Sequence, residues 1–222
     1  MTARARIRDA AIACFAEQGF DASFRAIAER AEVSPGLITH HFGSKSALRE
    51  ACDAEVLREY RTMKSEGLAE PRLALVRALG APGLSASLVV YMLRAIHAGG
   101  EGARTFLDHL VEDLRPVMAE AVASGLVRPS RDEDARLRFL VNMSMGAILV
   151  QFLTSPGLTP AQFLDSLSDP RHPTFLPLLE LYAEGLTTSS DLLDTYLSLT
   201  ESRHDPAADP DGTIPSSSTS EV

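Results

Sequence analysis

The chain has 222 residues, a formal charge of −9, 45% hydrophobic residues and no tryptophan. That apolar fraction can build a core, which excludes a wholly disordered chain, and the length suits one large domain or a small one plus a medium one. The nearly uncharged run from Asn142 to Gln162 is broken by Gln151, Thr154, Ser155, Pro156, Gly157 and Pro160 and makes a poor membrane span. Asp9, Glu17 and Gln18 interrupt any signal-peptide core, and Cys14 and Cys52 fit no metal or redox spacing, so a soluble cytoplasmic protein is expected. Taken whole, the acidity argues against nucleic acid.

Apolar residues recur at three- and four-residue spacing throughout, with few β-branched runs, which predicts an all-α fold. A first helix over about 3–18 places Ile7, Ala11, Cys14 and Phe15 on one face and stops at Gly19. Ser23 caps a short helix over 24–31, Glu32-Val33 makes a tight turn, and Ser34-Pro35 opens a third helix over 35–41. Ser44 caps a longer helix over about 45–65, with Leu48, Cys52, Val56 and Leu57 facing inward. Further helices are predicted over about 71–79, 85–98 and 101–124, the last with a kink at Pro116 and a stop at Gly125. Ser130-Arg-Asp-Glu133 has capping-box form and starts a helix to about 154. Shorter helices follow over about 160–168, 175–187 and 191–200, and the Pro-, Asp- and Ser-rich residues 201–222 read as a disordered tail.

The charge divides unevenly: residues 1–50 hold seven Lys/Arg against six Asp/Glu, a balance of +1, and the remainder carries −10. Three short helices within about 45 residues, with a tight turn between the second and third, describe a helix-turn-helix unit. The capped start of the third helix offers N–H groups and positive dipole to phosphate, and Arg4, Arg6, Arg8, Arg25 and Lys45 can neutralise the backbone. The arginines near the start also fit a merely solvated terminus. Adjacent His40 and His41 point about 100° apart on a helix with no carboxylate at ligand spacing, a poor metal pair; His41 can pack inward while His40 faces out.

Phe15-Ala-Glu-Gln-Gly-Phe20, Ile27-Ala-Glu-Arg-Ala31, Val33-Ser-Pro-Gly36 and His40-His-Phe-Gly-Ser-Lys45 together resemble the TetR/AcrR family of bacterial transcriptional regulators, over residues 4–58. The resemblance implies an all-helical homodimer on double-stranded operator DNA, whose larger domain binds a ligand that moves the recognition helices apart. It implies that Arg25 reaches the DNA, that Ser34, Pro35, Gly36 and Leu37 form the start of the recognition helix, that Thr39, His40 and His41 lie along its DNA side, and that Lys45 grips a phosphate. Two residues depart from the family pattern: Thr39 stands where tyrosine is usual, and Glu32 replaces the usual turn glycine, so a different backbone conformation is expected there. The domains are expected at 1–45 for DNA binding and 46–200 for effector binding and dimerisation.

Beyond residue 58 only periodicity speaks. The helix over 131–154 is apolar nearly all round at its end, which requires cover on both sides; Gly146 and Ala147 permit close approach, and with the helix over 175–187 it forms a candidate four-helix dimer interface or, alternatively, plain core. Tyr91, Met92, Phe106, Met118, Asn142 and Met143 are candidate walls of a pocket for a small apolar or amphipathic effector, with ordinary core packing as the alternative for each. No nucleophile–base pair, phosphate-binding glycine loop or metal carboxylate pair is apparent, so neither enzyme activity nor a cofactor is expected. A regulator without a small-molecule effector is the remaining alternative.

Overall fold

The computed structural model describes residues 2–69, 85–169 and 172–202. These form ten helices and no strand among the described residues: α1 (Ala3–Gln18), α2 (Phe24–Ala31), α3 (Pro35–Phe42), α4 (Lys45–Ala69), α5 (Ala86–His97), α6 (Gly100–Ala123), α7 (Glu133–Thr154), α8 (Pro160–Leu167), α9 (Phe175–Ala183) and α10 (Asp191–Ser202). The all-α expectation holds. The helix expected over 71–79 and the tail beyond 202 lie outside the described residues.

Local chemistry sets most boundaries. Thr2, Ser23, Ser44 and Ser85 each accept a hydrogen bond from a backbone N–H three residues on, the usual side-chain N-cap. Thr159 and Gln162 form the reciprocal capping box that opens α8. At α7 the start lies later than expected: Asp132, not Ser130, is the N-cap and accepts from the Ala135 N–H (2.9 Å), while the Glu133 carboxylate accepts the Ser130 N–H (2.8 Å). α6 runs on through Pro116 without a break in assignment, and α9 ends four residues short of its expected limit, ahead of Gly185 at φ 80°.

The chain divides into two compact units, Met1–His172 and a second beginning at Pro173. In the first unit, α1 and α2 pack with α3 and α4 around Ile7, Phe15, Ile27, Ile38 and Leu48, all essentially without exposure. α5 is the central helix of the unit, touching α1, α4, α6, α7 and α8. No boundary at residue 45 separates the packing, because α1 rests on α5 and α4 on α6. At that junction Phe15, Phe20 and Tyr91 form an aromatic cluster, with Phe20 edge-on to Tyr91 at 5.3 Å between ring centres. The second unit comprises α9 and α10, and no residue of α9 is buried.

α7 is the one described helix long and apolar enough to cross a membrane by length and composition, with mean hydropathy 1.4 over its most apolar 18 residues. The window from Asn142 to Gln162 hides this because it runs beyond the helix into the Ser155–Thr159 loop. In the folded unit, Leu137, Val141 and Met145 turn inward, while Phe139, Val150 and Leu153 stand 66%, 61% and 49% exposed.

Candidate nucleic-acid interface

The site is built around α2, α3 and the turn between them. α2 ends in a left-handed residue: Glu32 at φ 53°, ψ 48°, with the Val33 N–H reaching back to the Ala28 carbonyl (3.0 Å). The turn keeps the conformation for which glycine is favoured, contrary to the expectation that a glutamate would change it. Glu32 is the one non-glycine residue with positive φ among the described residues.

The turn delivers the chain to Ser34, which has N-cap backbone angles but makes no capping hydrogen bond through its side chain. This differs from the cap anticipated there, and Pro35 at the first helical position removes one N–H that would need a partner. Ile38 and Phe42 are buried beneath α3, with Leu37 and His41 half-buried at its flanks. Ser34, Pro35, Gly36, Thr39 and His40 are exposed, so the outer face runs along the helix at positions 35, 36, 39 and 40. His40 and His41 lie with ring centres 5.4 Å apart, the first outward and the second partly packed. A short helix whose outer face carries small, hydroxyl and imidazole groups can enter a major groove without steric conflict.

The basic residues separate into two groups. Arg8 pairs with Asp9 (2.8 Å) and Glu55 (3.0 Å), Arg30 with Glu17 (2.7 Å), and Arg49 sits near Asp53 (4.0 Å) and over the Phe20 ring (3.7 Å). Arg8 therefore leaves the group expected to meet phosphate. Arg4, Arg6, Arg25 and Lys45 make no ion pair among the described residues; the Arg4 guanidinium stacks on Phe42 at 4.8 Å, which ties it to the base of α3. Arg4 and Arg6 project from the first turns of α1, which begins at Ala3, rather than from an extended arm. Lys45, half-buried at the start of α4, follows directly on the Gly43-Ser44 turn that ends α3.

The six residues expected around an effector are spread between the core and the surface of the unit. Tyr91, Met92 and Phe106 are buried in the core, Met118 packs at its edge, Met143 is half-buried and Asn142 is exposed on the outer side of α7. The Tyr91 hydroxyl donates to Asp53 Oδ1 (2.6 Å) and also lies 3.4 Å from the Arg49 carbonyl. Burial pushes the Asp53 carboxyl above its ordinary range, against the opposing pull of that hydrogen bond and of Arg49, and burial likewise drives the Tyr91 hydroxyl up. A cleft of about 410 Å3 opens instead between α4 and α6, lined by Ala54, Leu57, Arg58, Arg61, His109, Glu112 and Asp113 and crossed by an Arg61–Asp113 ion pair (2.8 Å). Sequence periodicity assigned Leu57 to the core and missed Arg58, Arg61, Glu112 and Asp113 because they are charges on helices whose apolar faces had already been assigned. A charged stripe on α4 facing one on α6 becomes visible only once the helices are packed.

Residues 7–52 match the family model described as bacterial regulatory proteins of the tetR family, and residues 85–188 match the tetracyclin repressor-like C-terminal domain. The HTH-type transcriptional regulatory protein RaaS of Mycobacterium tuberculosis is 38% identical over 199 residues, covering 89% of this chain and 92% of that protein. Among solved structures, a TetR-family transcriptional regulator from Rhodococcus sp. superposes with a TM-score of 0.54 at 21% identity, covering 75% of this chain and 94% of that one. The regulator FadR from Bacillus subtilis, solved in complex with stearoyl-CoA, gives 0.52 at 18% identity, covering 82% and 99%.

Proposed function

The chain belongs to the TetR family of bacterial transcriptional regulators, and on that footing we propose that it is a homodimeric repressor, released from double-stranded operator DNA by a small molecule. The observation that carries the DNA reading is the outer face of α3 flanked by four cations that make no ion pair among the described residues. Ser34, Pro35, Gly36, Leu37, Thr39, His40 and His41 form the recognition surface, with Arg4, Arg6, Arg25 and Lys45 on phosphates. Pro35, Gly36 and Leu37 offer no side-chain hydrogen bond, so base reading rests on Thr39, His40, apolar contact with thymine methyls and DNA shape.

Dimerisation is supported by the outer stripe of α7, where Phe139, Met143, Gly146, Val150 and Leu153 follow one another at three- and four-residue steps, with Asn142 beside them. Beyond its own helix backbone and chain neighbours, no atom of the described residues lies within 4 Å of where a Cβ on Gly146 would stand, leaving room for a second helix to approach closely. The cleft between α4 and α6 supports an effector site for an amphipathic molecule, with an apolar floor at Ala54 and Leu57 under a charged rim. The functional division lies near residue 45, with the reader ahead of it and the sensor and dimerisation helices behind.

Selection of genomic fragments by the purified protein tests the reading. Recovered DNA should share a motif of two half-sites spaced by about one helical turn or a multiple of it. Recovery of no sequence above background would refute it.

A further inference from the structure

The last carbonyls of a helix have no partner within it and carry partial negative charge. α1 has no basic residue in its own last turn. The Phe15 carbonyl takes the Gly19 N–H (2.9 Å), and the next two are taken by one side chain from the centre of the body. Arg94 of α5 donates from Nε to the Ala16 carbonyl (2.8 Å) and from Nη2 to the Glu17 carbonyl (3.2 Å), across 78 and 77 positions of sequence. Gly19, at φ 84°, lies beside this side chain; a Cβ there would stand in ordinary contact, 3.6 Å from Arg94 Nη1.

The same guanidinium lies 5.7 Å from the centre of the Phe152 ring on α7, and Phe152 stands edge-on to the buried Phe163 of α8 (5.4 Å). On the other side, Glu17 carries its carboxylate to Arg30 of α2. A continuous series of contacts thus runs from Phe163 and Phe152, through Arg94, to the end of α1 and on to the helix that precedes the recognition helix. We infer that Arg94 is a positioning residue for operator binding, one that sets the angle of the α1–α3 reading head against α7. A guanidinium suits the task because its planar fork can serve two carbonyls and present a face to an aromatic ring at once; an ammonium keeps the charge but loses that geometry. The inference rests on the paired-head reading above, since head angle matters only when two heads must meet two half-sites.

The test uses the full chain with Glu29→Cys on the exposed side of α2 as the attachment point for a spin label, the native Cys14 and Cys52 being buried. In the dimer, the label-to-label distance distribution should be narrow and should broaden in Arg94→Ala. Affinity for the selected operator should fall at least tenfold, while affinity for non-specific duplex stays within twofold because the phosphate contacts are intact. Arg94→Lys should fall between, and Phe152→Leu should shift both readouts in the direction of Arg94→Ala, but less. An unchanged distribution and operator affinity in Arg94→Ala would overturn the inference. Equal loss on both DNAs with reduced helicity would also overturn it, by reducing Arg94 to a structural staple. A parent protein with no label-to-label distance at all would refute the paired-head reading and the inference with it.

Discussion

Replacing Glu32 by glycine should stabilise the protein, although it removes a side chain from a charged surface. The φ of 53° at Glu32 puts an L-residue in the left-handed region, at a cost of roughly 1–2 kcal/mol. Glycine relieves that cost but brings a more mobile unfolded chain, which takes back about 0.5–1 kcal/mol. The exposed carboxylate also lies at the C-terminal end of α2, where a negative charge opposes the helix dipole by a few tenths of a kcal/mol. The net expectation is a gain of about 0.5–1 kcal/mol, or roughly 1–4 °C in melting temperature for a chain of this size. Urea denaturation at fixed protomer concentration measures it, with Glu32→Ala as the control that removes the charge while keeping a Cβ in the left-handed turn. If Glu32→Gly is no more stable than Glu32→Ala, the strain assigned to this turn is absent and the reasoning fails.

Lys45→Ala should weaken operator binding and lower the slope of log affinity against log salt by about 1; an unaltered slope removes Lys45 from the phosphate contacts. Tyr91→Phe should destabilise by about 1.5–3 kcal/mol, because it strips a partly buried carboxylate of its donor, and thermal melts should show it. Asp53 has a raised folded pKa, so the stability it contributes is present below the unfolded value and lost as pH rises through the folded one. Asp53→Asn removes that loss, and its melting temperature relative to the parent should climb between about pH 4 and neutrality; a constant difference across that window would contradict the assignment. Val150→Asp should raise the dimer dissociation constant by about two orders of magnitude or more, since an unpaired charge is forced into an apolar contact, and sedimentation velocity reads this directly.

Much of the reading head is legible from sequence because its signals are local. Ser23 and Ser44 cap through their own hydroxyls, Gly19 stops a helix, and Ile7, Phe15, Leu48 and Val56 fall on the faces that periodicity assigns to them. Glu32 shows where local rules fail: the packing of α2 against α1 and α3 holds the turn left-handed and overrides the residue's own preference. The effector candidates meet a different limit. Periodicity placed Tyr91 and Phe106 on inward faces correctly, but an inward face does not distinguish a cavity wall from solid core. Asn142 and Met143 share the outward side of α7 with Phe139 and Val150, which only the packing of α7 against α5 and α6 reveals. Arg94 carried no signal at all, because its partners are backbone carbonyls nearly eighty residues away.

The electrostatics follow from which charges have partners rather than from their sum. Of the seven basic residues in the first fifty, Arg8, Arg30 and Arg49 are held by acids within the fold and join α1 to α4, α1 to α2, and successive turns of α4. These three act as connectors, and replacing one should loosen the head without reducing its charge contacts with DNA. The four that make no ion pair among the described residues, Arg4, Arg6, Arg25 and Lys45, are carried by α1, α2 and the start of α4 around α3. Asp9 and Glu17 are engaged by Arg8 and Arg30, so a local balance of +1 leaves a cluster of cations around α3, while residues 51–222 carry the remaining −10. On the homodimeric reading proposed above, the acidity of residues 51–222 opposes DNA wherever the heads are not seated, which would keep non-specific affinity low and make binding depend on placing both heads together. A contact that fixes the head angle then controls binding more strongly than its own small energy suggests, because a misplaced head loses its half-site contacts and gains no compensating attraction from the surface behind it.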